Sequence, residues 1–257
     1  MKYTDLLVGG LCLFCACSSP QKNPIDYVDP FIGTGFHGHT YPGATTPFGA
    51  VQLSPDTRRG NWDASSGYHY SDSTILGFSH THLSGTGCQD LGDVLLRPTT
   101  QPVRLEGEGD IFLPAAFSHD SEKATPGYYA VTLADEQIKV ELAASTFAGM
   151  HRYTYLNDKD ASVIVDLTHI LNTDDFIYEA ELKQTADNEI VGMRRTRSWV
   201  DNQYIYFVLQ FSKPIQEWQQ LNDKQGVAHF GQEREVLAKV GLSIVSAENA
   251  RENLLHD

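Results

Sequence analysis

Through the second half of this chain, apolar and polar residues alternate with a period of two, and no segment of the body carries a sustained 3.6-residue stripe. Ile138, Val140 and Leu142 alternate with Lys139 and Glu141. Val236, Ala238, Val240, Leu242 and Ile244 alternate again, with Lys239 and Ser243 on the other face. Successive side chains of a strand point to opposite faces, so the pattern predicts strands with one face buried. Residues 161–167 and 204–211 are apolar on both faces, as central strands of a sandwich are. Asp135-Glu136 and Asp187-Asn188 fall between such runs and read as hairpin turns. There is no alternation of strand and helix signals. The expected fold is all-β, a large antiparallel β-sandwich (supersandwich-like) over residues 26–245.

After the last strand the pattern changes. Ser246 is placed as a helix N-cap, and Ala250, Leu254 and Leu255 begin an apolar face over residues 246–257. That segment reads as the start of a linker helix, with a frayed terminal helix as the alternative.

The other end is a leader rather than part of the fold. Lys2, an apolar run from Leu6 to Phe14 and the small residues around Cys17 describe a secretory signal over residues 1–17, too short for a membrane span of about 20 apolar residues. Ala16-Cys17 is similar to a bacterial lipobox, although Phe14 stands where Leu is usual. Cys17 is therefore the expected lipidated terminus, followed by a polar tether over 18–25; ordinary cleavage to a periplasmic protein is the alternative. Of the four cysteines only Cys88 lies beyond the leader, which leaves it no partner cysteine for a disulfide. The 257-residue chain is long enough to stand on core burial instead. Its formal charge of −14 argues against nucleic acid and against electrostatic attachment to anionic lipid, so membrane contact would come through the lipid anchor only. For neutral ligands such as glycans, the charge decides nothing.

The chemistry-bearing residues crowd into one loop-rich stretch, residues 29–93, dense in histidine, aromatic and glycine residues. Gly33-Thr34-Gly35-Phe36-His37-Gly38 fits a G-x-G-x-x-G string, but the following Tyr41-Pro42-Gly43 opposes the helix that a dinucleotide site needs. These glycines instead permit turns and close backbone approach. His37-x-His39 and His80-x-His82 put two imidazoles on one side of an extended backbone. With Asp90 or Asp93 they could ligate zinc or iron. Alternating His-Thr-His is also an ordinary hydrogen-bonded pattern, and a structural or sugar-contacting role is preferred to a metal site. Trp62 beside Asp63, after Arg58, is the best ligand-binding candidate: an aromatic face packs on the C–H face of a pyranose, while carboxylate and guanidinium take hydroxyls. A Trp covering the sandwich rim is the competing reading. Asp90 and Asp93 either accept sugar hydroxyls or cap their turn.

Val28-Asp29-Pro30-Phe31-Ile32-Gly33-Thr34-Gly35, His37-Gly38-His39-Thr40-Tyr41-Pro42-Gly43-Ala44, Pro47-Phe48-Gly49 and Val51-Gln52-Leu53-Ser54-Pro55-Asp56 closely resemble the N-terminal domain of glycoside hydrolase family 92. Ser66-Gly67-Tyr68-His69-Tyr70 and residues 77–88 match it too. The departures are Phe36, where Gly is common, and Thr46 and Ala50. The resemblance implies exo-acting, inverting, calcium-dependent α-mannosidases, often 1,2-specific, acting on mannose-containing glycans. It also implies a second domain, an (α/α)6 barrel that carries the acid, the base and the calcium site. No such barrel is present in this sequence, so no catalytic residue, cofactor or metal ligand is assigned here. Inversion needs two carboxyl groups roughly 6.5–9.5 Å apart, and none here matches either role.

What carries over is the sandwich's share of the pocket: Trp62 first, with Asp63, Arg58, His80, His82, Asp90 and Asp93 as further substrate-binding candidates. The expected protein is the substrate-binding part of such an enzyme, inactive without the barrel, which would be joined in cis or supplied by a split gene. It is expected across the inner membrane, as a periplasmic or outer-membrane lipoprotein. The alternative is a stand-alone carbohydrate-binding lipoprotein.

Overall fold

The computed structural model describes residues 22–105, 111, 113–174 and 176–256. The leader, its Cys17 and the first half of the tether lie outside the described residues. In chain order the strands are β1 (Ala44–Thr45), β2 (Gln52–Asp56), β3 (Thr74–Ile75), β4 (Gly77–Ser79), β5 (Leu95–Thr99), β6 (Ala115–Ala116), β7 (Lys123–Thr125), β8 (Tyr128–Leu133) and β9 (Ile138–Ala144). They continue with β10 (Ala148–Tyr155), β11 (Ala161–Asp166), β12 (Phe176–Ala186), β13 (Glu189–Arg197), β14 (Gln203–Phe211), β15 (Glu217–Asn222), β16 (Gln225–Gly231) and β17 (Glu235–Ser243). One helix, α1 (Ala247–His256), follows.

Two antiparallel sheets hold nearly all of these strands. A seven-stranded sheet runs β1-β2-β4-β5-β11-β16-β15, and an eight-stranded sheet runs β12-β13-β14-β17-β10-β9-β8-β7. The alternation in β9 does what its sequence requires: Ile138, Val140 and Leu142 are buried while Lys139 is exposed. Strand β11, apolar on both faces, is buried at every position and lies between β5 and β16. The core packs Leu53, Phe78, Leu96, Val163 and Phe230 of one sheet against Tyr153, Phe207, Leu209 and Val240 of the other. Each such large side chain stabilises the fold by about 1.5–3 kcal/mol when fully buried.

The turns at 187–188 and 134–137 close the β12–β13 and β8–β9 hairpins. Glu136 does more than turn the chain: it is fully buried and takes Arg97 Nη2 at 2.6 Å, Thr99 Oγ1 at 2.7 Å and the Thr100 amide at 2.6 Å. A carboxylate placed there needs all of these donors, because an unpaired buried charge costs several kcal/mol. Strand β17 stops at Ser243, one residue short of the alternating pattern, and Ile244 is exposed.

Ser246 Oγ accepts the Asn249 amide at 3.1 Å, the bond expected of an N-cap. Helix α1 then lays Ala250 and Leu254 on Val208, while Leu255 stays exposed. Gly241 makes that approach possible, since a Cβ there would stand 2.3 Å from the Ala250 carbonyl oxygen. Ion pairing of Arg251 with Glu189 ties the helix to β13.

Candidate functional site

The loop between β2 and β3 and the stretch that precedes β1 meet around Trp62. Asn61 caps a short 3-10 turn over Trp62–Ala64, its side chain accepting the Asp63 amide at 3.0 Å. The turn leaves the indole 56% exposed. His39 stands edge-on to it with ring centroids 4.3 Å apart, and His37 lies at 5.3 Å. His37 Nδ1 is 2.5 Å from Asp63 Oδ1, so the carboxylate is held beside the indole. Phe36 and His39 both adopt positive φ, at 55° and 57°. The strained backbone at Phe36 accounts for why glycine suits that position. Gly87 has φ 62°, and a Cβ there would come within 3.0 Å of the His39 ring and 3.4 Å of Trp62 Nε1. The site is thus an exposed aromatic face braced by the buried His39, with the Asp63 carboxylate and the His37 imidazole at its rim. Such a face takes the C–H side of a pyranose, and the rim takes its hydroxyls.

Arg58 is near but engaged elsewhere. Its Nε donates to Asp72 Oδ1 and Oδ2 at 3.0 and 2.8 Å, and its Nη2 reaches Ser71 Oγ at 3.0 Å. That Asp72 pairing raises its pKa further above the usual arginine value. Arg58 faces an open cleft rather than the indole.

The remaining candidates lie beneath the surface. His80 is fully buried, with Nδ1 donating to the Val94 carbonyl at 2.6 Å and Nε2 3.0 Å from His151 Nε2. His82 is buried, and each of its ring nitrogens faces an acceptor: the Gln52 carbonyl at 2.7 Å and Asp56 Oδ1 at 2.7 Å. Asp56 Oδ2 in turn lies 2.9 Å from His169 Nε2. Burial alone would raise the Asp56 carboxyl, but the two imidazoles outweigh it and hold it well below the usual carboxylate range. Asp93 accepts Thr81 Oγ1 at 2.7 Å and Gln203 Nε2 at 2.9 Å, and its Oδ1 stands 3.1 Å from Arg194 Nε. Asp90 accepts the Leu91 and Trp199 amides at 2.7 and 3.2 Å, the turn-capping alternative.

The structure places these candidates in two different settings. Trp62 and Asp63 come together at the surface, whereas His80, His82, Asp90 and Asp93 serve a buried polar belt that fixes the loops under it. Their side chains are buried and hydrogen-bonded to protein partners. The two His-x-His pairs do not converge on a shared centre, and among the described residues no group of three or more His, Cys, Asp or Glu could hold a metal ion. His37 is the rim residue that sequence reasoning set aside as half of a pair; its cue was sharing one short segment with Phe36 and His39. His169, Arg194 and Gln203 gave no local cue at all.

Residues 27–243 match the model of the glycosyl hydrolase family 92 N-terminal domain. The chain belongs to glycoside hydrolase family 92. The family GH92 alpha-mannosidase BT3965 from Bacteroides thetaiotaomicron, solved in complex with mannoimidazole, is 36% identical, with a TM-score of 0.83 over 90% of this chain and 34% of that one. The GH92 family glycosyl hydrolase ccman5 is 29% identical, with a TM-score of 0.77 over 89% of this chain and 33% of that one. An uncharacterized secreted glycosidase of Arthroderma benhamiae is 29% identical over 189 residues, 66% of this chain and 23% of that protein. This family 92 domain thus spans about a third of the solved relatives' length and about a quarter of the curated one's.

Proposed function

We propose that this family 92 domain is the substrate-recognising sandwich of an exo-acting, inverting α-mannosidase of α-1,2 type, and that Trp62 is its contact with the terminal mannose of a glycan. The observation that carries this reading is the exposed Trp62 indole, braced by His39 and flanked by the His37–Asp63 pair. A large apolar ring left 56% exposed, while polar side chains around it are spent holding it in place, is a ligand-facing arrangement rather than a core lid. The likeness to a mannosidase solved with mannoimidazole supports mannose as the sugar.

Asp63 is the rim carboxylate, and inversion needs two. The acid and base accordingly belong to the part of such an enzyme outside this chain, an (α/α)6 barrel following α1. Calcium, expected of the family, is assigned by this reading to that barrel as well. The same reading keeps the leader and Cys17 as export signal and lipid anchor.

The test is calorimetric titration of the purified domain with α-1,2-mannobiose, together with an assay for released mannose. We expect weak binding, about tenfold weaker in Trp62→Ala because a sugar-facing ring contributes about 1–1.5 kcal/mol, and no released mannose. Unchanged affinity in Trp62→Ala removes the reading of the site, and turnover by the domain alone removes the division of labour.

A further inference from the structure

A second cleft, distinct from the Trp62 rim, opens among the described residues. It has a volume of about 590 Å³ and opens beside that rim, lined on its polar side by Arg58, Arg59, Thr74 and Thr173 and on its apolar side by Leu76 and Ile170. The charges around it do not cancel. Arg58 is neutralised by Asp72, and Asp56 behind the cleft by His82 and His169. Arg59 forms no ion pair or hydrogen bond among the described residues, although its side chain is half-buried. A chain of formal charge −14 thus leaves the Arg59 guanidinium unpaired in this cleft among the described residues.

The hydroxyls are divided in a similar way. Thr57 Oγ1 accepts the His69 amide at 2.9 Å, and Thr168 Oγ1 is taken by Asp166 at 2.7 Å and Gln225 at 3.0 Å. Thr74 and Thr173, by contrast, have no side-chain hydrogen bond among the described residues. Gly60 sets this geometry. With φ 64° and its amide donating to the Leu171 carbonyl at 2.8 Å, it brings Arg59 against the 171–173 segment, and a Cβ there would meet Thr173 Cγ2 at 2.8 Å.

We propose that this cleft binds an anionic sugar, a pyranose carrying a carboxylate or a phosphate. Arg59 takes the oxyanion through its planar fork of donors, Thr74 and Thr173 take ring hydroxyls, and Leu76 and Ile170 cover the C–H face. The cleft and Trp62 lie three residues apart on one loop, so an oligosaccharide bearing an acidic substituent reaches both. The site itself does not depend on the mannose reading, because it is occupied by a different ligand and read with different variants.

The experiment is calorimetry on the whole chain at low ionic strength with glucuronate, mannose 6-phosphate, inorganic phosphate and methyl α-mannoside. We expect at least one of the two anionic sugars to bind at least tenfold tighter than inorganic phosphate, and its affinity to fall as salt is raised. Whichever binds tighter identifies the substituent. Arg59→Gln is expected to lose at least tenfold for that ligand while the titration with methyl α-mannoside stays as it was, and Arg59→Lys to fall between. Thr173→Val is expected to weaken the anionic sugar and leave inorganic phosphate alone. Inorganic phosphate binding as tightly as both anionic sugars overturns the sugar site. So does an Arg59→Gln protein, folded by circular dichroism, that binds the anionic sugar like the parent.

Discussion

Lowering the pH from 7 to 5 should destabilise this domain through one buried chain of hydrogen bonds. Tyr153 O–H lies 2.8 Å from His151 Nδ1, His151 Nε2 lies 3.0 Å from His80 Nε2, and His80 Nδ1 lies 2.6 Å from the Val94 carbonyl. A carbonyl only accepts, so His80 carries its proton on Nδ1, its Nε2 accepts from His151, and His151 Nδ1 accepts from Tyr153. Each imidazole is then neutral, and a proton added to His80 Nε2 would set it face to face with the His151 Nε2–H. Burial drives His80 down to about 4, against the pull of its bond to Val94, and drives His151 well below the ordinary value near 6.5.

The folded values lie below the unfolded ones, so the unfolded state takes up protons first. The stabilisation is present above about pH 6.5 and is lost as the pH falls toward the folded value. For His80 alone the loss is about 2 kcal/mol between pH 7 and 5 and about 3 kcal/mol by pH 4, at about 1.4 kcal/mol per unit. His151 acts in the same direction. Asp56 and Glu189, both held below the usual carboxylate range, stay ionised throughout that window. Urea unfolding at pH 7 and 5 measures the loss, with His80→Asn as the reference, because its amide can keep the bond to Val94 without titrating there. The parent should lose about 2 kcal/mol more than His80→Asn over the interval. Equal losses in the two proteins would refute the argument, as would an NMR titration of the parent showing either imidazole protonated at pH 6.

Other perturbations test the polar belt and the site. Asp93→Ala leaves Arg194 buried without its carboxylate, and urea unfolding at pH 7 should show a loss of about 3–5 kcal/mol. Gly241→Ala drives a methyl group into the Ala250 carbonyl, so α1 should lift from β14 and β17 and become the first site of limited proteolysis. Gly87→Ala strains a positive-φ position and crowds His39 and Trp62; it should cost about 1 kcal/mol of stability and shift the indole fluorescence, and an unchanged spectrum would remove Gly87 from the site. Arg251→Ala should raise the Glu189 carboxyl from about 2 toward its ordinary range and cost about 1 kcal/mol, since the arginine is partly exposed.

By itself the sequence determined the architecture. The period of two in β9 and β17 states which face is buried, and the doubly apolar β11 states that it lies inside a sheet. The Ser246 cap, the hairpin turns and the glycine-rich loops were legible for the same reason: each is a matter of one or a few neighbouring residues meeting their own backbone. The family was legible too, because its motifs are unbroken strings. What the polar residues do was decided only by tertiary structure. Trp62 and Asp63 are neighbours in the chain, and one short turn holds both at the surface. Asp93 meets Gln203 from 110 positions away and His80 meets His151 from 71. Nothing local distinguishes a histidine that faces a sugar from one that faces another histidine across the core. The distinction follows from which loops the two sheets bring together and which buried charges must then be matched.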